Sequence, residues 1–421
     1  MNTPEKKLTK LYKIAEKIKY CRDFYNSEVY NKNYLIQRAK ETDTAYKLRA
    51  ETTPFTNMLN PIINGISGAI TKTPAITTGT ENTENVNGEG DNLQTFINKC
   101  TTFALIDGMA CVSVESVGQG AFFKLRNYND LLSYHYDDDN VLSQVVFKDI
   151  TEIKNGRFGV KEQERFVVFT IGGGEVWHAL NNKIVKVGEW ENNLNYIPVA
   201  FIKTGNENGK LSISPPFYDI AKLNNIMFNY DSGLSNVLNV VGNPIPLFFG
   251  EPFADVDGDK SVIVGANDAL VFNDKQKQGL EFAEIQGNGV DKLQERVLKL
   301  GRDIDNLAFN FLTTKTHNTK IDAEQSQSKN SSFISRASTE LERAFNLLLS
   351  YRNDIDNIKS KATITFKKDF TTSTFNAEQM NFYKDLKNNG HISLPTFLDI
   401  LNKSENNYIF DIEKETALIN D

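Results

Sequence analysis

The run in this chain nearest to a ligand-binding loop is Asp255-Val-Asp-Gly-Asp259. Carboxylates on alternate residues are what a hard cation such as calcium needs. A calcium loop also needs glycine at its sixth position and glutamate at its twelfth. Lys260 and Ala266 stand there, so the run reads as an acidic surface turn. Asp137-Asp-Asp139 reads the same way. Gly172-Gly-Gly174 and Gly118-Gln-Gly120 do not join a strand to a helix as a phosphate loop does, and no Gly-Lys-Ser/Thr occurs. The four histidines, His135, His178, His317 and His391, lack metal-ligand spacing. No serine lies in a Gly-x-Ser-x-Gly elbow. The expectation is a protein with no catalytic residues, no metal, no cofactor and no enzymatic activity.

Lys315, Lys320 and Lys329 suit another chemistry. They lie in a polar run from Thr313 to Asn330, between two apolar-periodic segments. Lysines on such a run can meet phosphates transiently. The plain alternative is an exposed loop.

The composition is that of a globular chain. Of 421 residues, 40% are hydrophobic and 24% charged, enough for two or three substructures. No apolar stretch is long enough to span a membrane, and the N-terminus does not read as a signal peptide. Cys21, Cys100 and Cys111 are an odd number without a close pair, which suits free thiols in a reducing compartment. The net charge of −7 argues against a tight grip on DNA, and is compatible with a DNA conduit or with no DNA contact.

Periodicity divides the chain. Residues 3–24 read as an amphipathic helix, with Leu8, Leu11, Ala15 and Ile18 on one face and Lys6, Lys7, Lys10, Lys13, Lys17 and Lys19 around it. That basic rim is a solvated face or a capsid or DNA contact. Thr53 reads as an N-cap with Pro54 at the first position of a helix over 54–72, whose face is Leu59, Ile62, Ile66 and Ile70. Thr77 to Asp91 reads as a flexible loop, and 92–106 as a helix. From Ala110 to Lys203 the texture is β, with strands at 110–114, 121–125, 143–148, 166–171, 175–180, 183–187 and 198–203.

The period then changes to helical. Ile220, Leu223, Met227, Tyr230, Leu234, Val237 and Val241 step by three and four. So do Val290, Leu293, Val297, Leu300, Ile304, Leu307 and Phe311. Each seam predicts a helix of roughly 33–40 Å, suited to close helix packing. A bare helical hairpin would use a short loop. Here residues 242–288 intervene and read as a small β unit, with strands near 246–249, 261–264, 269–272 and 280–284. A long helix over 331–358, a strand at 362–366, two short helices in 376–403 and an acidic tail complete the chain.

Three landmarks carry a family resemblance. They are Leu48-Arg-Ala-Glu-Thr-Thr-Pro-Phe-Thr-Asn-Met-Leu-Asn-Pro-Ile-Ile-Asn-Gly-Ile-Ser-Gly-Ala-Ile-Thr-Lys-Thr-Pro74, Leu105-Ile-Asp-Gly-Met-Ala-Cys-Val-Ser-Val-Glu115, and Pro215-Pro-Phe-Tyr-Asp-Ile-Ala-Lys-Leu-Asn-Asn225. In that order and at that spacing, from Tyr46 to Tyr351, the chain resembles the portal proteins of tailed bacteriophages. Those proteins form rings, usually of twelve subunits, at one capsid vertex. Double-stranded DNA enters and leaves through the ring.

The resemblance implies an α+β subunit. A basic helix at 1–24 would precede a wing at 25–214, β-rich from 109. Stem helices at 215–241 and 289–312 would flank a clip at 242–288. A tunnel loop at 313–330, further wing elements at 331–375 and a short crown at 376–421 would follow. Ile220, Met227, Leu234, Val297, Ile304 and Phe311 would pack the stem. Val262, Ile263, Phe272 and Phe282 would join neighbouring clips. Lys315, Lys320 and Lys329 would face DNA in the tunnel. The implied partners are further copies of the chain, double-stranded DNA, the terminase large subunit, a head–tail adaptor, and the major capsid and scaffolding proteins. The implied locations are the virion and, during assembly, the host cytoplasm. The alternative is a smaller head–tail adaptor or minor capsid protein.

Overall fold

The computed structural model describes residues 3–30, 32–79, 83–116, 120–180, 183–241, 245–249, 270–272, 279–283, 288–312, 320–359, 361–366, 377–389 and 391–403. For the strands between 245 and 283 and for parts of several helices it describes the backbone alone. The fold is α+β, and the chain divides into two units, Met1–Lys367 and Lys368–Asp421.

The first unit opens with helices α1 (Thr9–Tyr25), α2 (Asp43–Thr52) and α3 (Leu59–Thr71), strand β1 (Ile76–Thr78) and helix α4 (Leu93–Asp107). A β-rich stretch follows: β2 (Met109–Ser116), β3 (Ala121–Arg126), β4 (Leu131–Tyr136), β5 (Leu142–Asn155), β6 (Gly159–Thr170), β7 (Gly173–Leu180), β8 (Lys183–Glu191), β9 (Val199–Lys203), β10 (Asn206–Glu207) and β11 (Ile213–Ser214). Then come α5 (Tyr218–Val241), β12 (Ile245–Phe249), β13 (Leu270–Phe272), β14 (Gly279–Ala283), α6 (Asn288–Leu312), α7 (Lys320–Asp356) and β15 (Thr363–Thr365). The second unit holds α8 (Ala377–Asn388) and α9 (Leu394–Lys403).

Strands β4 to β8 form an antiparallel meander in chain order. Alternation along β5 explains its two faces. Val145 and Phe147 join Leu11, Ile14 and Ile18 of α1 in one core. Val146, between them, turns to the other face with Phe166 and Val168. A second sheet has the order β3-β2-β9, and α7 packs on it. The buried residues Ala337, Leu341, Ala344, Phe345 and Leu348 recur at helical spacing along α7, which gives the helix its apolar stripe.

Helix α4 shows why the chain turns where it does. Asn92 caps its start, accepting from the Thr95 N–H at 2.9 Å. Gly108 ends it with φ +87°. A Cβ there would stand 2.8 Å from the Ser214 carbonyl oxygen, so glycine is required twice over.

Three of the departures from the sequence reading have a clear physical reason, while α2 and β4 were simply not expected. Thr53 does not start a helix. It ends α2, its hydroxyl donating to the Arg49 carbonyl at 2.6 Å, and α3 begins only at Leu59. Asn57 supplies the start, accepting from the Asn60 N–H at 2.9 Å. The segment after α3 is anchored rather than a free loop. Residues Ile76–Thr78 pair antiparallel with β15, and buried Val86 accepts from the Phe123 N–H at 2.8 Å. Finally, α7 starts at Lys320, inside the run expected as a loop. Polarity misleads there: Lys320–Lys329 contains alanine, glutamate and glutamine but neither glycine nor proline, so nothing in it breaks a helix.

Candidate functional site

The helix–sheet–helix block from α5 to α6 is the part of the chain with no equivalent in an ordinary helical hairpin. Its first helix is held to the N-terminal segments by polar side chains. Asn224, 1% exposed, accepts from the Met58 N–H at 3.1 Å and donates to the Thr56 carbonyl at 2.9 Å. Asn229 accepts from the Ile36 N–H at 2.9 Å and donates to the Tyr34 carbonyl at 3.0 Å. Segments 34–36 and 56–58 lie outside helices and strands, so their peptide groups need partners. A carboxamide offers one donor side and one acceptor side, as a strand neighbour would.

Ser232 completes the junction. Its hydroxyl oxygen accepts from Arg49 at 2.8 Å, and its own proton is free to go to the Thr53 hydroxyl oxygen at 2.9 Å. Arg49 also grips Glu41 through two bonds of 2.6 and 2.7 Å and donates to the Ile36 carbonyl at 2.9 Å. Hydrogen bonding from Arg49 holds the Glu41 carboxyl down at about 2, and Glu41 in turn raises Arg49. Asn224, Phe228 and Ser232 fall four apart and are all buried. They form a second face of α5, which the apolar seam did not reveal. The only signal for it in the sequence is that two short polar residues flank a phenylalanine at helical spacing.

The predicted stem residues divide between these environments. Ile220, Val297 and Ile304 are buried, while Met227 and Leu234 are half-buried. Helix α6 packs against α5, α7 and α3. Its inner face is Val297, Leu300, Ile304 and Ala308. Leu307, expected in the seam, is 39% exposed. An α-helix drifts by about 20° per heptad against a strict three–four repeat, which moves the inward position from 307 to 308. On α5, Ile226, Tyr230 and Leu238 are exposed too. Phe311 lies on α6, where the structure describes only its backbone.

Between the helices, β12 is the central strand of three. It pairs parallel with β13 and antiparallel with β14. Pro246 lies outside the Leu247–Phe249 stretch that pairs with β13, so its missing N–H does not interrupt that ladder. Phe272 sits opposite Phe249 on β13, and Phe282 opposite Pro246 on β14. Val262 and Ile263 lie outside the described residues, and so does Lys315. Lys320 opens α7 and Lys329 follows on the same helix. The structure therefore brings Phe272 and Phe282 into one sheet and gives no common position for the three lysines.

Among the described residues, no group of three or more histidine, cysteine or acidic side chains could hold a metal ion. Also among them, no helix is long and apolar enough to cross a membrane. Cys21, Cys100 and Cys111 are free and buried, and burial pushes each thiol up.

A family model described as "Domain of unknown function (DUF4055)" matches residues 216–354. That span runs from the start of α5 nearly to the end of α7. No curated protein matches. Among solved structures, the chain is similar to one in the virion of a native gene transfer agent particle. The identity is 11% and the TM-score 0.48, over 81% of this chain and 88% of that one. It is also similar to a chain in the neck of a native gene transfer agent particle computed with C12 symmetry. There the identity is 12% and the TM-score 0.46, over 82% of this chain and 90% of that one. At such identities and scores, the functional reading rests on this chain's own residues.

Proposed function

We propose that the chain is a ring-forming portal subunit, a structural conduit for double-stranded DNA at a capsid vertex, with twelve copies to the ring. The observation that carries the reading is the block α5–β12/β13/β14–α6: two helices of 24 and 25 residues with a three-stranded sheet inserted between them. Each helix rises about 36–38 Å. In this reading they form the stem, and the inserted sheet forms the clip.

Two features support it. Ile226, Tyr230 and Leu238 leave apolar surface on α5, which a neighbouring subunit would cover. β13 and β14 are the outer strands of the inserted sheet among the described residues, and an outer strand can pair with another chain. The charges on α6 fit a sliding polymer. Asp291, Glu295, Asp303 and Asp305 balance Lys292, Arg296, Lys299 and Arg302, so the helix carries no net charge over that span.

The subunit would hydrolyse nothing itself. The packaging ATPase (the terminase large subunit) and later a head–tail adaptor would dock at the inserted sheet, and capsid and scaffolding proteins at the wing.

Negative-stain electron microscopy with native mass measurement tests the ring. Twelve copies of the 47.5 kDa chain come to about 570 kDa. Radially symmetric particles with a central hole at that mass are expected. Particles that stay at the mass of one chain, alone and when co-expressed with capsid components, would overturn the reading in favour of an adaptor.

A further inference from the structure

The basic rim of α1 has no part in the reading above, yet the structure gives it a built surface. Lys10, Lys13 and Lys17 follow one another by three and four residues, so they share one side of the helix. They line a groove of about 520 Å³ whose other wall is Asn208, Ser212 and Ser214, on and between β10 and β11. The ammonium groups are set against aromatic rings. Lys10 lies 4.2 Å from the centre of the Tyr134 ring and Lys17 lies 5.4 Å from that of Tyr218. Lys17 also reaches the Ser214 hydroxyl at 3.5 Å.

Acids on the adjoining elements are committed elsewhere. Glu207 pairs with Lys203 at 2.9 Å, and Asp219 with Lys222 at 2.7 Å. Glu16 follows Lys13 by three residues at the edge of the row, and it forms no ion pair with any of the three lysines among the described residues. Lys210 answers the acidic turn Asp137–Asp139 by bonding Asn140 beside it. In a chain of net charge −7, a row of three lysines without carboxylate partners among the described residues is a local reversal of sign.

From this geometry we infer that the groove between α1 and the β10–β11 hairpin docks the phosphate backbone of a nucleic acid, on a surface separate from the α5–α6 block. The row rises about 10 Å from Lys10 to Lys17 at 1.5 Å per residue. Over that length a strand running alongside can present two or three phosphates to the row. Lysine is a point charge that contacts phosphate without the planar fork suited to carboxylates, and the groove wall adds hydroxyl and amide donors. An acidic protein segment offers the same charge and is the competing occupant, which the poly-glutamate arm of the test separates.

The test is fluorescence anisotropy with a labelled duplex of mixed sequence, titrated with the full chain at several salt concentrations. K10A/K13A/K17A should lower affinity at least tenfold at about 50 mM salt and flatten the log–log salt slope by about 2 to 3. K10R/K13R/K17R should bind like the parent, which separates loss of charge from loss of fold. K315A/K320A should leave the α1-dependent part of binding unchanged, so that failure of the ring reading and failure of this one stay distinguishable. An unaltered slope in the alanine variant, or no duplex binding by the parent, would overturn the inference. So would poly-glutamate competing with the duplex at equal charge concentration.

Discussion

Arg49 and Ser232 meet at 2.8 Å, although 183 residues separate them in sequence. The bond joins α2 to the middle of α5, and it is part of a set in which Glu41, Ile36 and Thr53 also take part. In the portal reading this is where the wing is fixed to the stem, so a change at the N-terminal helices would be felt in the long pair.

Removing the guanidinium should therefore loosen the junction. Arg49→Met leaves Glu41 nearly buried without its partner, and such a loss costs about 3–5 kcal/mol. Ser232→Ala removes one acceptor and should cost about 1 kcal/mol. Arg49→Lys should rescue only in part, since an ammonium cannot reproduce the planar two-bond grip on Glu41. Urea denaturation midpoints for the three variants check the order.

Acid should act on the same pair. The folded-state carboxyl of Glu41 is held at about 2, below its ordinary value of 4.5. A depressed acid contributes stability that is fully present above its unfolded value and is lost as pH falls through the folded one. Stability should thus decline between about pH 4.5 and pH 2, and Glu41→Gln should flatten that part of the profile. Thermal melting across the range measures it. An identical profile in the variant would separate Glu41 from the acid response.

Gly108 provides a test of the α4–β2 turn. Gly108→Ala would place a methyl 2.8 Å from the Ser214 carbonyl oxygen in a left-handed backbone. The conformational cost alone is about 1–2 kcal/mol, and displacement of the Ser214–Pro215 backbone adds to it. Because Pro215 leads into α5, the variant should also assemble poorly. Melting temperature and ring yield should fall together.

Assembly and folding should separate at the exposed positions of α5. Ile226→Glu with Leu238→Glu changes side chains that the single chain leaves 41% and 49% exposed, so subunit stability should move by less than about 1 kcal/mol. Ring yield should drop sharply. Val262→Glu with Ile263→Glu should do the same if those residues join neighbouring clips. Rings at parental yield from either pair would show that the surface in question faces solvent in the assembly.

The lysines assigned to the channel have a separate readout. Lys315→Ala with Lys320→Ala should leave rings intact and lower packaged DNA per particle, measured as nuclease-protected genome content. Unchanged content would remove both from the DNA path.

Much of the block was legible in the chain because the signals are local. A three–four apolar step produces a helix wherever it occurs, so α5 and α6 could be read from their seams. Alternation and turn residues marked most strands between Met109 and Lys203. The helix expected over 92–106 is α4, Leu93–Asp107.

Tertiary structure decided which face of each helix is inner, and which polar residues hold it. Leu307 and Ala308 exchange places because helical drift accumulates along α6, and no short window shows that sum. Asn224, Asn229 and Ser232 read as ordinary polar residues until segments 34–36 and 49–58 arrive beside them with peptide groups and a guanidinium to satisfy. Thr53 could cap either neighbouring helix by residue type; proximity to Ser232 is part of what holds it at the end of α2. The pairing of β1 with β15 depends on a contact between distant parts of the chain. The sequence by itself determined the long helices and most of the long strands and their order, because propensity and periodicity act over a few residues. Which surfaces meet was left to the folded chain, because burial and hydrogen-bond satisfaction are properties of neighbours that sequence distance does not define.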